Sequence, residues 1–237
     1  MKTVLYRSQS RGKADHGWLN SYHTFSFANY YDPERMGFGA LRVLNDDTVL
    51  GGMGFGSHPH RDMEIVSIPL EGALEHKDSM GTTSVIKKGE IQVMSAGTGI
   101  MHSEYNKNAG EPVKFLQIWI IPNQMGVKPR YDQIRIDEHP SKNEFQQILS
   151  PSPEDPGVWI HQDAWFFLAD FSAGTKKSYK IRKPGNGVFV FVLSGQVRIG
   201  DEVLDSRDSL GIHEVDSFEL EATADSEVLL IEVPMQF

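Results

Sequence analysis

Two short segments of this chain hold residues that can do chemistry together. Gly56-Ser57-His58-Pro59-His60 sets two imidazoles two positions apart, and Gly97-Thr98-Gly99-Ile100-Met101-His102-Ser103-Glu104 sets an imidazole and a carboxylate at the same separation. On a β-strand, residues two apart point to one face, so each pair would offer two ligand atoms to the same space. The first pair is read as the start of a strand, where a barrel opens. The second follows a glycine-rich turn that would reverse the chain beside the first. Taken singly, a His-x-His is usually incidental, and His102 with Glu104 also reads as a surface ion pair. Taken together, His58, His60, His102 and Glu104 make a coherent set of N and O ligands for one divalent transition metal per chain. With no soft sulfur in the set, Fe(II), Mn(II), Ni(II), Co(II), Cu(II) and Zn(II) all suit it. On an octahedral ion one or two positions stay open for a substrate oxygen or O2. A carboxylate ligand can also shift off the metal and take a proton, which gives Glu104 a possible second role as general base.

The elements that would carry these residues are strands. Apolar runs are short, β-branched or aromatic, and bounded by turn residues: Ala40–Leu44 before Asn45-Asp46-Asp47, Ile65–Leu70 before Glu71-Gly72, Phe115–Ile121 before Pro122, Val188–Leu193 before Ser194-Gly195. Runs at such spacing predict an all-β protein built as sandwiches or barrels of antiparallel strands. The one helix expected is a short piece near Lys142–Leu149, ending before Pro151. A faint repeat relates the halves. A strand ending Leu70-Glu71-Gly72 and a closing run before Pro122 are echoed by Leu193-Ser194-Gly195 and Val228–Val233 before Pro234. Two barrels of one kind are expected, residues 1–122 with the metal ligands and 157–237 without. Between them 123–156 is rich in Pro, Asn, Gln, Ser and charge and reads as a linker. Counting back from the second Gly turn, Ile181 and Lys183 stand where His58 and His60 stand in the first half, so the second barrel is expected to hold no metal.

Composition narrows the classes further. At 237 residues the chain exceeds the roughly 100–200 residues of a usual domain and can bury a real core. A net charge of −9 repels phosphate backbones and anionic membrane surfaces, so no direct nucleic-acid or membrane binding is expected. The absence of cysteine excludes disulfides, thiolate zinc sites, iron–sulfur clusters and a Cys nucleophile. No apolar stretch approaches about 18 residues, and the N-terminal apolar run is too short for a signal peptide, so the cytoplasm is the expected location.

Gly52-x5-His58-x-His60-x3-Glu64, then Gly89 and Gly97-x4-His102-x3-Asn106, resembles the two cupin motifs. The chain is more narrowly similar to the pirins in His16-Gly17-Trp18-Leu19, Tyr22-His23-Thr24-Phe25-Ser26-Phe27, His58-Pro59-His60, Asp62-Met63-Glu64 and Ser95 to Glu104. The match is dense over residues 10 to 122 and continues as architecture beyond. Ser95 where cupins usually have Pro, and Gly72 one residue late, depart from the general pattern in the way pirins do. The resemblance implies a bicupin with a degenerate second barrel. It makes Glu104, rather than Glu64, the carboxylate ligand, and leaves Glu64 a supporting role. It also implies the activity of the bacterial pirin-like quercetin 2,3-dioxygenases, with Fe(II) the first choice of metal and a flavonol and O2 as substrates. In that reaction Glu104 takes the flavonol 3-hydroxyl proton, the flavonolate becomes electron-rich at C2, O2 adds, the ring opens and carbon monoxide leaves. The other implied role is that of a non-catalytic coregulator whose metal state alters a surface for a protein partner. Of the remaining histidines, His16 and His23 are expected to hydrogen-bond within the sheet, and His76 to sit at a polar strand end. His139, His161 and His213 read as structural or solvated. Phe25, Phe27, Phe38, Phe55, Phe115 and Trp119 read as core, some of them lining a pocket.

Overall fold

The computed structural model describes residues 1–136 and 142–237; His139 lies outside the described residues. Among the described residues the architecture is β throughout, with one 3-10 turn at Ser8–Ser10. Four sheets make two sandwiches. In the first, a seven-stranded sheet runs Arg130–Arg135, Glu90–Ser95, Glu64–Glu71, Val113–Ile120, Leu41–Val49, Leu19–His23, Gly12–Asp15. It faces a four-stranded sheet of Gly54–His60, Ile100–Asn106, Ala73–Asp78 and Thr83–Lys87. The second sandwich repeats the plan. Its seven-stranded sheet is Lys2–Tyr6, Ser209–His213, Asn186–Ser194, Ser226–Pro234, Trp165–Phe171, Gln146–Ser150, Val158–Trp159, and its four-stranded sheet is Lys176–Lys180, Ser217–Ala222, Gln196–Ile199, Glu202–Asp205. Pairing is antiparallel save for Gln146–Ser150 with Val158–Trp159. Facing sheets in each half are not joined by ladder hydrogen bonds, so each is a jelly-roll sandwich rather than a closed barrel.

Apolar packing explains the arrangement. The two seven-stranded sheets lie against each other through Val66, Ile68, Leu116 and Ile118 from the first half and Phe189, Phe191, Leu229 and Ile231 from the second. Three rings, Tyr6, Phe25 and Phe38, converge on Phe189 with centroids 5.4–5.6 Å away, spacings at which aromatic pairs attract. The second sandwich has its own apolar filling, including Phe167, Phe171, Val190, Leu204 and Leu230. The first sandwich differs: polar groups occupy the middle of its interior, among them Ser21, Asn45, Asp47, Ser67, His76, Gln92, His102 and Glu104, all buried.

Four local expectations are corrected. The helix near Lys142–Leu149 is instead a turn followed by the strand Gln146–Ser150. The segment is too short to hold a helix by itself. Pairing with Trp165–Phe171 and burial of Ile148 and Leu149 between the sandwiches hold it extended. The turn expected at Asn45-Asp46-Asp47 is the middle of the strand Leu41–Val49. These polar residues stay in a strand because both faces there are polar. Asp46 meets Arg11 and Arg207, while Asp47 accepts a hydrogen bond from Ser21 Oγ. His58 and His60 lie at the end of their strand, not its start. Segment 123–156, expected as a linker, contributes Arg130–Arg135 to the first seven-stranded sheet and Gln146–Ser150 to the second, and Lys2–Tyr6 crosses to the second half's sheet. No helix among the described residues is long and apolar enough to cross a membrane.

Asp47 gives a stability prediction. Burial raises its carboxyl to about 7, with the Ser21 hydrogen bond acting against that rise. The folded state therefore favours the protonated form, and the associated stability is complete below about pH 4 and lost as pH rises through 7. Asp47→Asn stays neutral and can still accept from Ser21. In chelator-treated protein at pH 8 it is expected to unfold with a free energy higher by roughly 2–4 kcal/mol, the gain vanishing near pH 4. Urea melts at the two pH values check this, and a loss of stability at pH 8 would contradict it.

Candidate metal centre

The site forms where two strands of the four-stranded sheet lie side by side. His102 is the direct cross-strand partner of His58, and His60 pairs with Ile100. Between His102 and Glu104 the register slips: Glu104 faces Phe55 on one side and His76 on the other. Exposure alternates along Ile100–Asn106, so His102 and Glu104 are both turned inward while Met101 and Tyr105 face out. The turn before this strand needs glycine. Gly97 has φ of +45°, and a Cβ there would lie 2.0 Å from the Val127 carbonyl oxygen.

One candidate nitrogen from each of His58, His60 and His102 lies within 4.8 Å of the others. Ring centroids are 4.4 Å apart for His58 and His102, 4.8 Å for His60 and His102, and 4.9 Å for His58 and His60. His58 Nδ1 is 2.8 Å from the Gly56 carbonyl oxygen. A carbonyl only accepts, so Nδ1 carries the proton and Nε2 is left with its lone pair. His102 Nε2 is buried without a hydrogen-bond partner. His60 is pushed down to about 4 by burial and then by His58, and His102 to about 2 by burial and then by the neighbouring imidazoles. Crowded neutral imidazoles with an orphaned, inward nitrogen are the condition a divalent cation satisfies. The residues present therefore fit a metal ion.

Glu104 lies beside this cluster but is not part of the three-imidazole convergence. Its two oxygens accept from Gln117 Nε2 at 3.0 and 2.9 Å, and Ser67 Oγ is 3.4 Å from one of them. Full burial raises its pKa, while Gln117 and nearby His76 and His58 act in the other direction. Glu64 is turned elsewhere: it accepts from Ser95 Oγ at 2.7 Å, and burial raises it to about 7 against the pull of Ser95 and Arg130. Around His60, Trp119 packs edge-on at 4.9 Å, and Phe27 packs on Trp119 at 5.3 Å. Phe25, Phe38 and Phe115 are core, whereas Phe55 packs on Trp18. A pocket bounded by His60, Arg61, Ser79 and Met101 opens to the surface beside the imidazoles. A second, larger groove runs from Ile121 past Lys183 to Phe237, and none of the three imidazoles lines it.

Several residues of the site escape a reading by motif. His76, near the end of the strand Ala73–Asp78, is buried and packs against His102. Asp78 bonds it. Ser67 and Gln117 hold Glu104. The available signal was a lone polar residue at an inward position of an apolar strand, as in Phe115-Leu116-Gln117-Ile118. His16 is exposed and its backbone N–H bonds Leu19, whereas His23 is buried against Phe27 and Tyr30 with Nδ1 unpartnered. His161 packs edge-on against Trp159, and His213 ends its strand. In the second half, Ile181 packs on the apolar core and Lys183 pairs with Asp163.

Two jelly-roll sandwiches in one chain, the first carrying an inward imidazole cluster that suits a divalent metal, define a bicupin. Residues 5–120 match the Pirin family and residues 147–233 match the quercetinase C-terminal cupin domain. The chain belongs to the pirin family. It is 46% identical over 234 residues to a quercetin 2,3-dioxygenase of Escherichia coli (strain K12), covering 97% of this chain and 98% of that protein. It is 38% identical over 222 residues to a pirin-like protein of Caulobacter vibrioides, covering 93% and 95%. Among solved structures, the bacterial pirin YhhW in complex with nickel(II) from Escherichia coli superposes with a TM-score of 0.93 at 43% identity, over 98% of this chain and 99% of that one.

Proposed function

We propose that this protein is a metal-dependent dioxygenase that opens the flavonol ring of quercetin-like substrates with O2 and releases carbon monoxide. The observation that carries the reading is a buried carboxylate, Glu104, set beside three converging imidazoles in the polar interior of the first sandwich. The relatives named as quercetin 2,3-dioxygenases support the substrate class. His58, His60 and His102 would hold one divalent ion, Fe(II) first and Ni(II), Mn(II), Co(II), Cu(II) or Zn(II) as others, and Glu104 would complete the set. Such an ion would supply Lewis acidity toward a phenolate oxygen and redox chemistry toward O2.

The chain's own residues do the rest. Glu104 takes the 3-hydroxyl proton at a carboxylate oxygen, and its burial makes it a stronger base than an exposed glutamate. Gln117 orients that carboxylate through N–H donors that an ionised group accepts, and Ser67 in turn donates its hydroxyl to Gln117 Oε1. Phe27 and Trp119 give a flat aromatic ligand apolar surface next to His60. Both atoms of O2 enter the ring-opened ester, and one ring carbon leaves as carbon monoxide. The acidic surface fits a cytoplasmic enzyme that binds no nucleic acid directly.

The test is an oxygen electrode with protein loaded in turn with each metal. One O2 consumed and one carbon monoxide released per quercetin is expected, with one metal per chain by elemental analysis. Two tightly held metals per chain would contradict the assignment of the second half as metal-free. Neither gas exchange nor quercetin loss with any metal would sink the dioxygenase reading and leave a metal-dependent binding protein in its place.

A further inference from the structure

We propose that Asp78 and His76 form a hydrogen-bonded relay that sets the tautomer of His102 and so presents its Nε2 lone pair to the metal. The inference rests on the metal reading above and not on turnover. His76 sits on Ala73–Asp78, which pairs with the ligand strand Ile100–Asn106 on the side away from His58. The side chains of His76 and Asp78 are both fully buried. The His76 ring lies between His102, at 5.2 Å, and Tyr131, at 4.8 Å.

Proton positions follow from the partners in turn. Asp78 Oδ1 accepts backbone N–H groups of Met80 at 2.9 Å and Thr82 at 3.0 Å. Those donors suit a carboxylate, and its other oxygen, Oδ2, is 3.0 Å from His76 Nε2. A carboxylate oxygen accepts, so His76 carries a proton on Nε2. His76 Nδ1 is 3.4 Å from His102 Nδ1, at the long end for an N–H···N bond. The relay puts the donor at His102 Nδ1 and the accepting lone pair at His76 Nδ1. His102 Nε2 is then unprotonated, and it is the buried nitrogen that lacks a protein partner. The opposite polarity would put a proton on that nitrogen and close it to a cation. A partner that holds the second nitrogen of a metal-binding histidine orients the ring and raises its basicity. Here the carboxylate acts through an intervening imidazole. His76 and Asp78 are therefore positioning residues. The relay has a parallel at His58, where Gly56 carbonyl oxygen holds Nδ1–H by a direct bond.

The experiment has two independent readouts. In metal-free protein labelled with 15N-histidine, long-range 1H–15N spectra report which ring nitrogen carries the proton. The relay requires His102 to be protonated at Nδ1 and His76 at Nε2; a proton on His102 Nε2 overturns it. Asp78→Asn reverses the polarity, because Met80 and Thr82 keep the amide oxygen and turn the NH2 toward His76 Nε2. His102 should then move to the Nε2–H form, and Ni(II) affinity, measured by chelator competition, should fall by about 10–100-fold. His76→Phe keeps a ring between Tyr131 and His102 without hydrogen bonds and should weaken Ni(II) by a similar factor. If Asp78→Asn does not fold, the wild-type spectrum and His76→Phe decide the question. Folded variants with Ni(II) affinity within about twofold of wild type would overturn the relay. A wild type that takes up no nickel would instead strike the metal reading, while the spectrum would still report the tautomer.

Discussion

Glu104→Gln is expected to keep its metal and lose its catalysis. An amide oxygen can still coordinate, but an amide cannot accept the flavonol proton. General-base catalysis contributes roughly 10²–10⁴-fold, so kcat with quercetin should fall at least about a hundredfold. The fold should tolerate the change. Gln117 now donates to both Glu104 oxygens and accepts from Ser67 Oγ at 2.7 Å. Rotating the Gln117 amide by half a turn lets its oxygen accept from the new side chain, and the Ser67 hydroxyl can turn from donor to acceptor. Metal content and stopped-flow rates on one preparation separate the two roles. A variant with its metal and its full rate would show that Glu104 is not the base.

His58→Ala should behave differently, with metal and activity lost together. The ring is one of three converging ligands, so its removal should weaken binding by more than the roughly 10–100-fold typical of losing a supporting hydrogen bond. Metal-free protein should still fold, because the His58 ring is partly exposed and its neighbours His60 and His102 are other imidazoles of the cluster. Elemental analysis after dialysis, with a thermal melt in chelator, checks both halves of the expectation. Retention of tight metal binding would remove His58 from the ligand set. Lys183→His in the second half should create no site, since the position that corresponds to His58 is Ile181 and the interior beside it is apolar.

The converging histidines were legible because a strand's two-residue period makes a short motif a statement about one face of a sheet. His58-x-His60 and His102-x-Glu104 therefore predicted inward pairs without knowledge of the strand order. The all-β class was legible for the same reason, since short β-branched runs bounded by turn residues have few other homes. Local pattern failed where a distant partner outweighed it. Asn45 and Asp47 looked like a turn, yet they are strand residues because the first sandwich has a polar interior to receive them. Gln146–Ser150 looked like the end of a helix, yet it is a strand because Trp165–Phe171 offers it hydrogen bonds and the space between the sandwiches buries Ile148 and Leu149.

By itself the sequence determined the donor types, their pairing on one face, the absence of sulfur chemistry and the β architecture, all of which follow from residue identity and near spacing. Only the tertiary structure decided which strands stand together, and hence that His102 faces His58. It also decided that Gln117 and Ser67, remote in the chain, take hold of Glu104, and that His76 is buried with Asp78 behind His102. It separated two similar sandwiches, one filled by Phe167, Phe171 and Leu230 and the other left with a polar centre. The reason is physical: a strand's period is a local property of the backbone, whereas burial and hydrogen-bond partners are settled by residues tens of positions away.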